Sequence, residues 1–185
     1  ACYKAGVAKF DGKKFTLYDN GLDDKRVILL ENGFDGEIWA GTESAGIGVL
    51  EQDQFRMIRD SDGLAHNEMF SLYNDGKRMW AGTFGGGVSC FHDNTWFTLR
   101  ESDGLNSNTV GSIVSIDENT TMIGGTSGVS IFKTNNQKFS LEMGDILTPR
   151  EELSFDKQME PIKGILKDRF TFTPKPMVYN PSDAE

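Results

Sequence analysis

Short apolar-rich segments alternate with tight-turn residues along most of this chain. Near the middle, Glu68–Tyr73 and Lys77–Gly82 flank the turn residues Asn74–Gly76, a combination typical of a β-hairpin. Two further apolar-rich segments follow at Val88–His92 and Thr95–Leu99. None of the four has the three-to-four-residue apolar spacing of an amphipathic helix. The pattern therefore predicts four consecutive antiparallel strands.

The same pattern recurs with a period of about 41 residues, which identifies a repeat. A large apolar residue precedes a Gly-Thr dipeptide in each unit, and we expect Trp39, Trp80 and Ile123 to fill the same position between neighbouring units. The recurring dipeptides are Gly21-Leu22, Gly63-Leu64 and Gly104-Leu105, then Gly41-Thr42, Gly82-Thr83 and Gly125-Thr126, then Gly6-Val7, Gly48-Val49, Gly87-Val88 and Gly128-Val129.

Four-stranded units of this length are typical of β-propeller blades. The sequence predicts an all-β propeller with three complete blades, at 22–58, 64–99 and 105–142. The segment 5–18 matches only the third and fourth strands of a blade, and we count it as a half blade. About three and a half blades are therefore visible.

The blades occupy 1–143, and the repeat stops in a C-terminal extension at 144–185. Thr148–Glu151 has the form of a helix capping box, and Arg169–Thr173 alternates like a strand. Propellers commonly have 4 to 8 blades, so three arrangements stay open. The chain is part of a longer ring, or the extension completes a four-bladed ring, or two copies pair through open blade edges. We expect the isolated chain to self-associate.

The order of motifs in each unit resembles the two-component-regulator propeller repeat. The second unit carries it most fully, with Gly63-Leu64, Asn67, Asp75-Gly76, Trp80 to Thr83 and Gly86 to Val88. The resemblance implies an extracytoplasmic sensor module of a bacterial signalling protein, located in the periplasm or outside the cell. It also implies that the blades serve recognition rather than catalysis.

Charge and composition narrow the classes of partner. The 185 residues carry a net charge of −9 with a pI near 4.8, which argues against nucleic acid and anionic membrane surfaces as partners. The longest wholly apolar run, Val27–Leu30, is far too short to insert into a membrane. The two cysteines, Cys2 and Cys90, lack metal-ligand spacing.

Function in a propeller is carried by loops at the ends of the blades. We expect two sets of loops, those after each Gly-Leu and those after each Gly-Thr, to meet on one surface and bind a small molecule or a glycan. Phe84, in the glycine-rich run 84–87, is the strongest candidate because an exposed ring stacks on a ligand. The predicted ligand-binding residues are Arg26, Glu43, His66, Glu68, Phe84 and Asn108.

The sequence gives little support to catalysis. It contains no local set of nucleophile, histidine and carboxylate, and Phe84–Gly87 lacks the lysine and following helix of a phosphate-binding loop. We therefore expect no enzyme activity, no cofactor and no metal. The alternative to ligand binding is a scaffold for protein interaction or assembly, and a propeller lyase or hydrolase is a remote third.

Overall fold

The computed structural model describes residues 1–135 and 138–142, which form fourteen β-strands and three single 3-10 turns. The strands build one two-stranded and three four-stranded antiparallel sheets, each in simple sequence order. The prediction of an all-β, propeller-type fold with four-stranded blades is confirmed. The four sheets of the described part do not close into a ring.

The strand bounds follow the repeat closely, and β9 and β10 are the two segments that the sequence predicted. The hairpin is β1 (Val7–Phe10) and β2 (Phe15–Tyr18). The first full sheet is β3 (Val27–Asn32), β4 (Ile38–Thr42), β5 (Ile47–Glu51) and β6 (Gln54–Ile58). The second is β7 (Met69–Asn74), β8 (Met79–Thr83), β9 (Val88–His92) and β10 (Thr95–Leu99). The third is β11 (Val110–Ser115), β12 (Thr120–Gly125), β13 (Gly128–Asn135) and β14 (Lys138–Glu142).

The first strands of the three full sheets lie side by side, because β3 contacts β7 and β7 contacts β11. These are therefore the inner strands of the blades. Each has a register shift at the same point, which leaves Ile28, Phe70 and Gly111 without a partner in the pairing register. Such a bulge bends a strand and re-aims its side chains.

The hydrophobic core lies between sheets rather than within one. One cluster, with Val27 and Phe55, joins the hairpin to the first sheet. A second, around Trp39 and Met69, joins the first sheet to the second, and a third, around Trp80, joins the second to the third. The leucine of each Gly-Leu pair is buried in one of these clusters (Leu22, Leu64 and Leu105).

Strand pairing corrects one expectation about the repeat. Trp39 and Trp80 are buried in successive inter-sheet clusters as expected. In the third sheet Met122, opposite Val114, takes the position that Trp80 has opposite Tyr73. Ile123 instead corresponds to the alanine after each tryptophan. Aligning the Gly-Thr dipeptides places the third unit one residue out of register. In the third sheet Gly125, and not Thr126, pairs with the start of the inner strand.

The glycine turn before the third strand of each blade corrects another alignment. Thr42 and Thr83 each donate backbone and hydroxyl hydrogen bonds to the carbonyl oxygen four residues later, at Gly46 and Gly87. Gly46, rather than Gly48, is thus the counterpart of Gly87. Both have positive φ, at 84° and 98°, which glycine adopts without strain.

The predicted helix at Thr148–Glu151 and strand at Arg169–Thr173 lie outside the described residues. The division into propeller and extension near residue 143 stays a prediction, as do the three ways of completing the ring. Over the part of the chain that the structure describes, no helix is long and apolar enough to cross a membrane.

Candidate functional site

Backbone hydrogen bonds bring the two predicted loop sets to the same end of the sheets. The amide of Glu43 donates to the carbonyl of Arg26 (3.0 Å), and the amide of Phe84 donates to the carbonyl of Glu68 (3.0 Å). The loop that enters each inner strand is therefore tied to the loop that leaves the second strand of the same sheet.

Further backbone bonds connect neighbouring blades. The amide of Gly46 donates to the carbonyl of Asn67 (2.8 Å), and that of Gly87 donates to the carbonyl of Asn108 (2.7 Å). The loops thus form a connected surface, which we call the loop face. It consists of residues 23–26, 43–46, 65–68, 84–87 and 106–109 and contains all six predicted site residues.

Each entry loop is held by a side chain that accepts the amide hydrogen two residues later. Asp24 accepts from Arg26 (2.9 Å), His66 from Glu68 (3.1 Å) and Ser107 from Thr109 (3.1 Å). In His66 the acceptor is Nδ1, which leaves the proton of the neutral imidazole on Nε2. Three different residues thus fix one loop conformation and give each blade a different polar group.

The first blade carries a charged network at the loop face. The guanidinium of Arg26 makes two hydrogen bonds to the carboxylate of Asp24 (both 2.9 Å) and an ion pair with Glu43 (2.6 Å). The hydroxyl of Ser44 bridges Arg26 and Asp24, because it accepts a hydrogen bond from Arg26 and donates one to Asp24 (2.8 Å). Arg26 and Glu43 are therefore already oriented by their neighbours.

Asp24 is the buried member of this network. Burial opposes its ionisation, but hydrogen bonds from Arg26 and Ser44 outweigh that effect and lower the pKa of Asp24 to about 2. The carboxylate is therefore charged over the physiological pH range. It holds Arg26 in place as a hydrogen-bond donor.

Asn108 and its counterpart Asn67 have backbone-directed side chains. The amide oxygen of Asn108 accepts from the backbone of Glu101 (2.9 Å), and that of Asn67 accepts from Asp60 (2.9 Å). The Glu101 carboxylate in turn accepts the backbone amide of Asn108. These bonds secure the 3-10 turn that precedes each loop. Ligand contact by Asn108 stays a prediction.

Phe84 is the most exposed large apolar residue of the loop face, with 56% of its surface accessible. Its ring meets that of Phe70 edge to face at a centroid distance of 6.0 Å. Phe70 is itself exposed, because it sits at the bulge of the inner strand β7. Sequence reasoning missed Phe70, since a bulge leaves no mark in the apolar pattern.

The six predicted residues fall into two groups. Arg26 and Glu43 form one pair, while His66, Glu68 and Phe84 are linked through backbone and imidazole hydrogen bonds. Asn108 joins the second group through the bond from Gly87. Within residues 1–135 and 138–142, no hydrogen bond or ion pair joins Arg26 and Glu43 to the other four.

The described residues offer no group of three or more histidine, cysteine, aspartate or glutamate side chains that could hold a metal ion. Cys2 and Cys90 are both free thiols. Burial raises the pKa of Cys90, so this thiol is protonated and unreactive in the folded protein.

The sequence matches no protein-family model and no curated protein. Its fold is similar to an extracellular domain of B. thetaiotaomicron described as the hybrid two-component system BT3049. The TM-score is 0.61 at 18% identity, over 75% of this chain and 22% of that one. It is also similar to the extracellular domain of BT4673, described as a one-component system of the same organism. Here the TM-score is 0.50 at 16% identity, over 70% and 17% of the two chains.

The chain thus spans less than a quarter of either neighbour. Membership of the propeller repeat family stays a prediction.

Proposed function

We propose that the chain is a recognition module of an extracytoplasmic signal sensor and binds a small molecule or glycan on its loop face. The exposed pair of aromatic rings, Phe84 and Phe70, is the observation that carries the proposal. Isolated exposed apolar residues are ordinary, but two touching rings beside polar loops are typical of a ligand-contact surface. The extracellular fold neighbours support this role and location, and they suggest a function other than catalysis.

The chemistry of the loop face suits a ligand with both apolar and hydroxyl surfaces. Phe84 is followed by Gly85, Gly86 and Gly87, which have no side chains that could cover its ring. In the adjoining blade the carboxylate of Glu43 accepts from Arg26 and from the hydroxyl of Tyr3 (3.3 Å). A sugar presents C–H groups that pack on a ring and hydroxyl groups that pair with such polar side chains.

A thermal-shift screen against glycans and small metabolites tests this proposal. A ligand present at about 100 times its Kd adds about 2.7 kcal/mol to the free energy of unfolding. For a domain of this size that raises Tm by about 5 to 10 °C. Phe84→Ala should abolish the shift, whereas Phe15→Ala, which removes an exposed ring from the hairpin, should keep it. Equal shifts in both variants would reject the loop face.

A second candidate function, an assembly scaffold, rests on the outward face of the hairpin. Phe10, Phe15 and Leu17 are all more than half exposed there. By register they correspond to Leu50, Phe55 and Met57, which pack in the cluster between the hairpin and the first sheet. The hairpin therefore presents the kind of surface that another blade covers. A concentration-dependent oligomer that Phe15→Asp dissolves would favour the scaffold, and a monomer at all concentrations would exclude self-assembly.

A further inference from the structure

The two grooves between the full sheets are built from equivalent residues but are filled differently. In the groove between the second and third sheets, the guanidinium of Arg78 lies over the rings of Trp80 (5.4 Å) and Phe132 (5.9 Å). The Asp75 carboxylate accepts from Arg78 Nε (2.6 Å) and from the indole N–H of Trp80 (3.0 Å). The fold thus contains an aromatic and carboxylate site that already holds a cation.

In the groove between the first and second sheets, a carboxylate likewise accepts the indole N–H of a tryptophan. Here the indole N–H of Trp39 donates to Glu37 Oε2 at 3.0 Å, the distance found between Trp80 and Asp75. By strand register Glu37 occupies the position of Arg78. The carboxylate that receives the indole is therefore present, and the arginine that completes the second groove is replaced by this carboxylate.

The rings that would receive a cation are present as well. Trp39, Phe91 and Trp96 lie within 6.1 Å of one another between centroids, and Phe34 packs on the same cluster. They line an open cavity of about 530 Å³. That volume lies within the range of about 300 to 1,000 Å³ for small-molecule sites.

The charge around this cavity favours a cation. Asp35, Glu37 and Asp62 line it, and Arg56 is the one basic residue among the described residues that line it. The guanidinium of Arg56 is engaged at the exposed edge by Glu51 (2.8 Å). Aromatic faces beside carboxylates attract organic cations, and a planar guanidinium both stacks and donates to a carboxylate.

We propose that the groove formed by Phe34, Glu37, Trp39, Phe91 and Trp96 binds a small molecule that carries a guanidinium group. Phe34 lies over Trp39 and Phe91 much as Arg78 lies over Trp80 and Phe132, so the bound group enters the open cavity beside this ring cluster. It stacks on the partly exposed ring of Trp96 and donates to Glu37, which keeps its bond to the buried Trp39. This site is separate from the loop face and does not depend on the function proposed for it.

Two-dimensional NMR of the three tryptophan indole N–H groups tests the proposal on the full chain at low salt. Methylguanidinium is the probe, and methylurea is its neutral control of the same shape. We expect methylguanidinium to shift the Trp39 and Trp96 signals to saturation and to leave Trp80 unmoved. Methylurea should shift none of the three.

Two variants connect the response to the groove. Glu37→Gln keeps an oxygen for the indole but removes the charge, and it should weaken binding by about tenfold. Arg56→Gln removes the competing cation and its repulsion at the rim, and it should strengthen binding. Asp11→Asn, which removes an exposed carboxylate from the hairpin turn outside the cavity lining, is the control for net charge and should leave the affinity close to that of the parent.

A third variant replaces the carboxylate of the groove by a cation. Glu37→Arg removes the accepting carboxylate and places a guanidinium at the register position of Arg78, and this variant should no longer respond to methylguanidinium. The Trp80 signal reports folding in every variant. The proposal is overturned if methylguanidinium gives no saturable shift of Trp39 in the folded parent, if methylurea binds equally well, or if Glu37→Arg still responds.

Discussion

Asp75 and Arg78 form an ion pair that is almost fully removed from water, with 4% and 6% of their side-chain surfaces exposed. Asp75 also accepts backbone amide hydrogens from Lys77 and Arg78. Arg78 donates to the carbonyl of Glu118 in the next sheet (3.2 Å). The pair therefore closes its own turn and connects two blades.

Removing one partner of this pair should destabilise the fold strongly. Asp75→Asn leaves the buried guanidinium without its counter-ion, so we expect a loss of about 3 to 5 kcal/mol in the free energy of unfolding. Urea denaturation measures it. Asp35→Asn is the matched control, because Asp35 is an exposed carboxylate in the turn at the equivalent point of the first sheet, and it should cost less than about 0.5 kcal/mol. Equal losses would contradict the role of the buried pair.

Acid should weaken the loop face through Asp24. Its folded-state pKa of about 2 lies below the unfolded value of 3.8, so its stabilisation is present above about pH 4 and is lost as the pH falls through about 2. The shift corresponds to at most about 2.5 kcal/mol. Urea denaturation between about pH 5 and pH 2 should show a shallower pH dependence for Asp24→Asn than for the parent.

Asp60→Asn is the comparison for this acid effect. Hydrogen bonds from the Asn67 side chain and from the backbone amide of Ser61 also lower the pKa of Asp60, which lies in an exposed turn. Because its surroundings are exposed, we expect a smaller change in pH dependence than for Asp24→Asn. If the two variants lose the same part of the acid sensitivity, the Arg26 network is not its source.

Two neighbouring glycines should differ in their tolerance of a side chain. Gly85 and Gly87 both have positive φ, at 84° and 98°. A Cβ at Gly85 meets open space, whereas one at Gly87 collides with the carbonyl oxygen of Leu99. Gly85→Ala should therefore cost about 1 kcal/mol from backbone strain alone, and Gly87→Ala clearly more. Thermal unfolding of both variants measures these losses in stability. A larger loss for Gly85→Ala than for Gly87→Ala would contradict the turn geometry.

The tryptophan position should matter less in the third sheet than in the second. Trp80 is fully buried between two sheets, so Trp80→Ala should cost about 3 to 5 kcal/mol. Met122 holds the equivalent position but is only half-buried, and Met122→Ala should cost less than about 2 kcal/mol. Urea unfolding measures both losses. A loss at Met122 as large as that at Trp80 would mean that this face is covered as fully as the others.

The strands were predictable because each blade repeats local signals. Alternating apolar segments and turns such as Asn74–Gly76 lie within a few residues of the strands that they define. The exposure of Phe70 was not predictable, since it depends on the register between β7 and β8. The same holds for Met122, because the duplicated glycine at 124 and 125 hides a one-residue shift in pairing.

The two candidate sites also differ in how far they could be predicted from the sequence. The loop face follows from motif spacing, so Arg26 and Phe84 were identified from the sequence. The guanidinium groove was not, because its rings come from Phe34 and Trp39 in one sheet and from Phe91 and Trp96 in the next, far apart in sequence. Only the structure shows that Glu37 repeats the bond made by Asp75.

Chemical-shift mapping of a ligand from the screen onto the folded chain tests whether recognition takes place at the loop face. We expect perturbations at the amides of 84–87 and 66–68 and in the rings of Phe84 and Phe70, together with loss of binding in Phe84→Ala and retention in Phe15→Ala. Perturbations confined to the hairpin or the outer grooves, or full binding by Phe84→Ala, would contradict it.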